Sequence, residues 1–298
     1  MLMAEIFLYP HETIRYSITM AKTPRFAILY AVAAFSGTAC AAQQPVQPAS
    51  QTPATTLSYT RFADLVVAAP TIVDATIRSV APIKGPAAAG LQPGYARLYI
   101  EADVTALLRG PGALPPTIGY VADIPLDARG RVPKLRKLRV LLFARPARQP
   151  GQLQLVALDG QRDWSPEADA LTRKIATEAV GGNAPPEITG IGNAFHTPGA
   201  LPGEGETQIF LTTADGSPVS LNVVRKQGEA PRWSPSFGDL ADPNAAPPAH
   251  DTLLWYRLAC GLPPALPEGS TAGIEPAEAN VARDDYAFVL QSLGRCEH

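Results

Sequence analysis

Ser236 stands two residues before Gly238 in the stretch Ser-Pro-Ser-Phe-Gly (234–238). This approaches the Gly-x-Ser-x-Gly turn on which many hydrolases display a nucleophile. The first glycine is missing, Pro235 opposes the strained turn, and no parallel-sheet strand leads in, so the reading is a loop serine. Gly190-Ile191-Gly192-Asn193 opens like a dinucleotide loop but has no third glycine, and Pro198 and Gly199 follow where a helix should start. No cofactor is expected on that pattern. His196 and His250 lie outside any His-x-x-His or His-Glu-x-x-His spacing, so no metal is expected. Asp284 and Asp285 are adjacent, so on a helix they point to different faces and cannot alone form a catalytic dyad. The sequence predicts no catalytic residue.

Three sets of residues remain. Cys260 and Cys296 form a pair once Cys40 is removed or lipidated. Two thiols of an exported chain are expected to join as a disulfide. Arg129, Arg131, Lys134, Arg136, Lys137 and Arg139 are the densest charge cluster. They could contact anionic headgroups or cell-wall polymers. A solvated hairpin is the preferred reading, because charge runs usually mark surface. Trp233, Phe237, Trp255 and Tyr256 fall near a Pro-rich stretch. A ligand groove is one use for them, and filling the core between hairpin and helices is the preferred one. The candidate ligand or interaction surface is thus Trp233, Phe237, Arg131, Lys134 and Arg136.

The amino-terminal stretch sets the compartment. Lys22 and Arg25 precede an apolar run from Phe26 to Phe35, and Ala39-Cys40-Ala41 fits a signal-peptidase site. The run is shorter than the roughly 20 apolar residues a membrane span needs. Residues 1–41 are therefore predicted to be a signal peptide, with Met20 as the true start because Glu5, Glu12 and Arg15 do not suit a leader. A lipid anchor on Cys40 is the alternative, disfavoured because Gly37 occupies the position where a lipobox prefers leucine. The expected location is the periplasm. The chain carries 25 Lys and Arg against 27 Asp and Glu, a net charge of −2, which argues against general nucleic-acid binding. No later apolar run is long enough to span a membrane, and the partner expected is an unspecified envelope component.

Residues 42–57, rich in Pro, Gln, Ala and Thr, read as a disordered tether. A short helical turn is expected from Tyr59, then strands over residues 72–80, 95–108, 117–121, 138–144 and 153–158. Leu98, Ile100, Ala102 and Val104 alternate with polar residues and mark the core face of the second strand. Ser165, Pro166 and Glu167 signal a helix start, and Gly181-Gly182 its end. A second unit is predicted over residues 183–298. Its clearest feature is a hairpin, 207–213 with 219–225, turned by Asp215-Gly216. Ile209, Leu211, Val219, Leu221 and Val223 supply its buried face. Two helices close the chain, one capped by Asp251 and one opened by Pro276.

Five short strands within about ninety residues predict a mainly β, α+β protein with a small closed or partly open OB-like barrel over 58–182. Ala63–Val67, Leu107–Gly110 and Val140–Ala144 follow one another in the order seen in OB-type barrels of the netrin/TIMP-like family, which residues 58–158 resemble. The chain lacks the amino-terminal cysteine with which animal inhibitors of that family engage a metalloproteinase, so inhibition does not carry over. The function expected is binding or interaction without catalytic chemistry. The alternatives are an envelope hydrolase with dispersed site residues and a lipid-tethered scaffold.

Overall fold

The computed structural model describes residues 58–238 and 245–297. The predicted leader and tether lie outside the described residues. The first helix, α1 (Tyr59–Ala68), is a full ten residues rather than a short turn. Ser58 caps it by accepting from the Arg61 amide. Phe62, Ala63, Leu65 and Val66 are buried along it.

Five strands then close a barrel: β1 (Thr71–Pro82), β2 (Tyr95–Arg109), β3 (Thr117–Pro125), β4 (Arg139–Pro146) and β5 (Gln152–Leu155). The order is β1-β2-β3-β5-β4 with β4 pairing back onto β1, and only β3 and β5 run parallel. This closed five-stranded arrangement is compatible with an OB-like barrel. Closure removes the exposed edges that an open sheet would present. The β3–β5 seam depends on Gly119, where a Cβ would fall 2.3 Å from the Tyr99 hydroxyl. With no side chain there, Gln152 Nε2 donates to that hydroxyl at 3.0 Å. Alternate residues of the strands fill the barrel, among them Val73, Ile77, Leu98, Ile100, Ala102, Ile118 and Tyr120. The short strand β6 (Gln161–Asp163), absent from the sequence reading, pairs with β4.

A second core lies outside the barrel. Helix α2 (Pro166–Val180) begins at Ser165 as expected, the serine accepting from the Ala168 amide. With α1 it covers Ile72, Leu141 and Phe143 on the outer face of β1 and β4. The remaining strands, β7 (Ile188–Pro198), β8 (Gly205–Thr213), β9 (Val219–Arg225) and β10 (Arg232–Phe237), form a four-stranded antiparallel sheet in the order β10-β9-β8-β7. The hairpin's five predicted core residues are all buried. Helices α3 (Leu253–Gly261) and α4 (Pro276–Leu293) pack with this sheet, and their buried residues join those of α1, α2 and β4 in one cluster. Tyr256 of α3 donates to Asp64 of α1 at 2.7 Å, and Glu178 of α2 accepts the Leu253 amide at 2.7 Å.

Local corrections follow from side chains that compete for the same role. The cap of α3 is Thr252, which accepts from the Trp255 amide, and not Asp251, whose backbone sits at φ 57°. Ser234 and Ser236 belong to strand β10 rather than a loop. Pro235 is tolerated there because β10 is an edge strand, where a missing amide costs no ladder bond. Cys260 and Cys296 are joined as a disulfide with Cα atoms 5.1 Å apart, tying the end of α3 to the chain just beyond α4. Among the described residues no helix is long and apolar enough to cross a membrane.

Candidate functional site

Tyr95 and Arg97 begin β2, and Asp123 and Pro125 end β3, so antiparallel pairing sets Tyr95 opposite Pro125 and Arg97 opposite Asp123. The cross-strand ion pair is two-pronged, Nε to Oδ1 at 2.7 Å and Nη2 to Oδ2 at 2.8 Å. Geometry of this kind is the strongest that a carboxylate and a guanidinium make. The remaining terminal nitrogen of Arg97 donates to the carbonyls of Ala87 and Ala89 at 3.3 Å. One side chain therefore fixes β3 and the β1–β2 loop together. The guanidinium holds the Asp123 carboxyl below its ordinary range.

Facing this floor is a tight turn between β5 and β6. Val156 donates to the Phe143 carbonyl and Phe143 donates to the Gly160 carbonyl, so both arms of the turn hang from β4. Leu158 at its tip is 73 % exposed, the most exposed large apolar side chain of the described residues. Asp159 beside it is gripped by Arg61 of α1, through Nε at 2.7 Å and through Nη2, and its carboxyl is held below the ordinary range by that contact. Gln161 accepts from the buried Tyr120 hydroxyl at 2.8 Å. Burial pushes that phenol up, so it stays a donor.

Between floor and turn lies a cleft of about 400 Å³, bordered by Leu91, Tyr95, Ile124, Leu158 and the Arg97–Asp123 pair. A second hollow of about 370 Å³ continues past Leu158 along Val121, Gln154 and Leu155 and shares that pair. Tyr95 and Val121 are 40 % and 44 % exposed, against the usual preference of such side chains for the interior. Leu91, Tyr95, Ile124, Pro125 and Leu158 make much of the lining apolar, with Gln92, Asp159 and Gln161 at its polar side, and the Arg97–Asp123 ion pair is internally neutralised. Such a cleft can accept an apolar group or an extended chain without first reorganising.

No protein-family model matches this chain, and no curated protein matches it. The site is therefore read from its own chemistry.

The sequence candidates lie elsewhere. Trp233 is buried and its indole donates to Ser292 of α4 at 2.8 Å, while Trp255 donates to the Leu293 carbonyl at 2.9 Å. Phe237, at the end of β10, is 49 % exposed. Arg131, Lys134 and Arg136 are exposed on the β3–β4 loop. None of these five borders the cleft. Leu158 escaped the sequence reading because residues 153–158 look like one unbroken strand, and Tyr95 because it reads simply as the first residue of the strand over 95–108. The Asp159-Gly160 pair, a turn signal, is what marks the strand's earlier end.

A polar array also converges in the second sheet. Asp285 of α4 is fully buried and takes Arg225 Nε on one oxygen at 2.7 Å and the Thr207 hydroxyl on the other. Thr207 has one proton and gives it to Asp285, so it accepts from His196 Nδ1 at 2.9 Å. The ring has room because Gly205 lies beneath it, where a Cβ would come within 2.6 Å of His196 Cε1. Sequence reasoning missed the array because its members come from β7, β8, β9 and α4. Asp284 is exposed, so the two adjacent acids do point to different faces of α4. Among the described residues no group of three or more His, Cys, Asp or Glu side chains is placed to hold a metal ion.

Proposed function

We propose that this is an exported binding module that holds its ligand in the cleft on the β2–β3 face of the barrel. The observation that carries the reading is Leu158: a leucine 73 % exposed on a turn tied to β4, bordering one cleft with Tyr95 and the fixed Arg97–Asp123 pair. A single exposed leucine is ordinary on a protein surface, but this one is grouped with the exposed Tyr95 and Val121 around adjoining hollows, and a grouped apolar patch is what marks a binding surface. Barrels of this architecture commonly bind across the same strands, which supports the placement by analogy only. The ligand class that fits is an extended segment with an apolar group of side-chain size, offered by an envelope component. The disulfide and the predicted leader support an extracytoplasmic setting.

A hydrolase with residues drawn from separate elements is the second reading, favoured by the His196–Thr207–Asp285 array. It is the weaker one, because Thr207 is buried with its proton committed to Asp285 and so is a poor nucleophile. The deciding experiment is affinity capture from envelope extract with the mature protein and with Leu158→Asp. A partner retained by the parent and lost by the variant, with both melting alike, supports the cleft. Equal retention sinks it.

A further inference from the structure

The β3–β4 loop, residues 126–138, carries four cations that have no carboxylate partner among the described residues: Arg129, Lys134, Arg136 and Lys137. Arg131 is paired with Asp127, and Arg139 at the start of β4 is paired with the buried Asp74. A quarter of the chain's Lys and Arg therefore falls in eleven consecutive residues without an acid, in a protein whose net charge is negative. The loop is held in shape. Asp127 accepts the amides of Arg129 and Arg131 at 2.8 and 2.9 Å. Leu135 is buried in the barrel core. Lys137 and Leu138 exchange backbone bonds of 2.8 Å with Ile77 of β1. Between and beside the cations stand Val132 and Leu138, 40 % and 41 % exposed.

We infer that this loop docks the protein onto an anionic phospholipid surface, the cations meeting headgroup phosphates and Val132 and Leu138 entering the interface. Charge complementarity selects an anionic partner. The two exposed apolar side chains select a bilayer over a soluble polyanion, which offers phosphate but no hydrocarbon to cover them. Because the loop is anchored at Asp127, Leu135 and Lys137, little ordering remains to oppose binding. The inference does not depend on the ligand of the β2–β3 cleft.

The test is co-sedimentation of the mature protein with vesicles containing about 30 % phosphatidylglycerol in phosphatidylcholine, against phosphatidylcholine alone. Salt-sensitive binding to the anionic vesicles only is expected. Lys134→Glu with Lys137→Glu should weaken it roughly 20-fold or more, since each cation near such a surface is worth about 1 kcal/mol. Val132→Ser with Leu138→Ser should weaken it several-fold, with melting temperatures unchanged in both pairs. Failure to bind anionic vesicles would overturn the inference, as would binding indifferent to the charge reversals. Unaltered binding by the serine pair, together with full displacement by inorganic polyphosphate, would also overturn it, making the loop a polyanion site.

Discussion

Asp285, fully buried on α4, meets Arg225 at the end of β9, whose side chain keeps 30 % of its surface exposed. The pair joins an interior carboxylate to a guanidinium that still reaches water, and Thr207 satisfies the other carboxylate oxygen. Removing one partner of such a pair costs more than the pair itself contributes, because the survivor is left desolvated and unpaired. Asp285→Asn should therefore destabilise the protein by roughly 3 kcal/mol in denaturant unfolding. Asp284→Asn, one residue away on the outer face, should stay within about 0.5 kcal/mol of the parent. Equal losses at the two positions would show that the array does not hold α4 to the sheet.

The same pair shows where sequence reasoning stops. Periodicity puts Asp284 and Asp285 on different faces of a helix, since side chains one residue apart diverge, but it does not say which of the two is buried. It could not supply the buried acid's partners, because Arg225, Thr207 and His196 approach from three strands and no spacing connects them. Barrel strands were legible from alternation, as at Leu98, Ile100 and Ala102, and α2 from Ser165 and Pro166. The edge strand β10 was not, because Pro235 argues against a strand unless its edge position is known. Leu158 was hidden for a related reason: exposure of an apolar residue is a property of the assembled surface.

A pH dependence follows from Asp159. Arg61 lowers its pKa from the ordinary 3.8, so the ionised form is favoured in the folded state. A group depressed on folding adds stability that is complete above its unfolded value and fades as pH falls through its folded value. The stability difference between the parent and Asp159→Asn should therefore be greatest near neutral pH and shrink on acidification below about pH 4. Urea unfolding of both proteins across that range measures it. A difference that stays constant, or grows in acid, would contradict the assigned role of Arg61.

The disulfide supplies the last prediction. Cys260 closes α3, and Cys296 lies two residues beyond Gly294, the glycine at φ 75° that ends α4. The bridge encloses a segment with a sequence separation of 36, within which Leu262 and Leu266 and the whole of α4 must find their places in the second core. In the chain-entropy account, closing a loop of this length removes unfolded conformations worth roughly 3–4 kcal/mol. Replacing both cysteines by serine should cost about that much at equilibrium. The loss should not be uniform. Tyr286 still donates to the Pro263 carbonyl and Trp255 still donates to the Leu293 carbonyl, so α4 keeps its inner contacts. The chain beyond Gly294 keeps the Glu297 carbonyl on the Thr60 hydroxyl but loses its covalent tie. Amide exchange should accordingly accelerate first and most in the final turn of α4 and the residues after it, and less in the barrel strands, whose own contacts are untouched. Non-reducing peptide mapping of the parent establishes that the bridge is present. Uniform acceleration across β1 to β5 as well would mean that the bridge stabilises the whole chain rather than its carboxyl-terminal clamp.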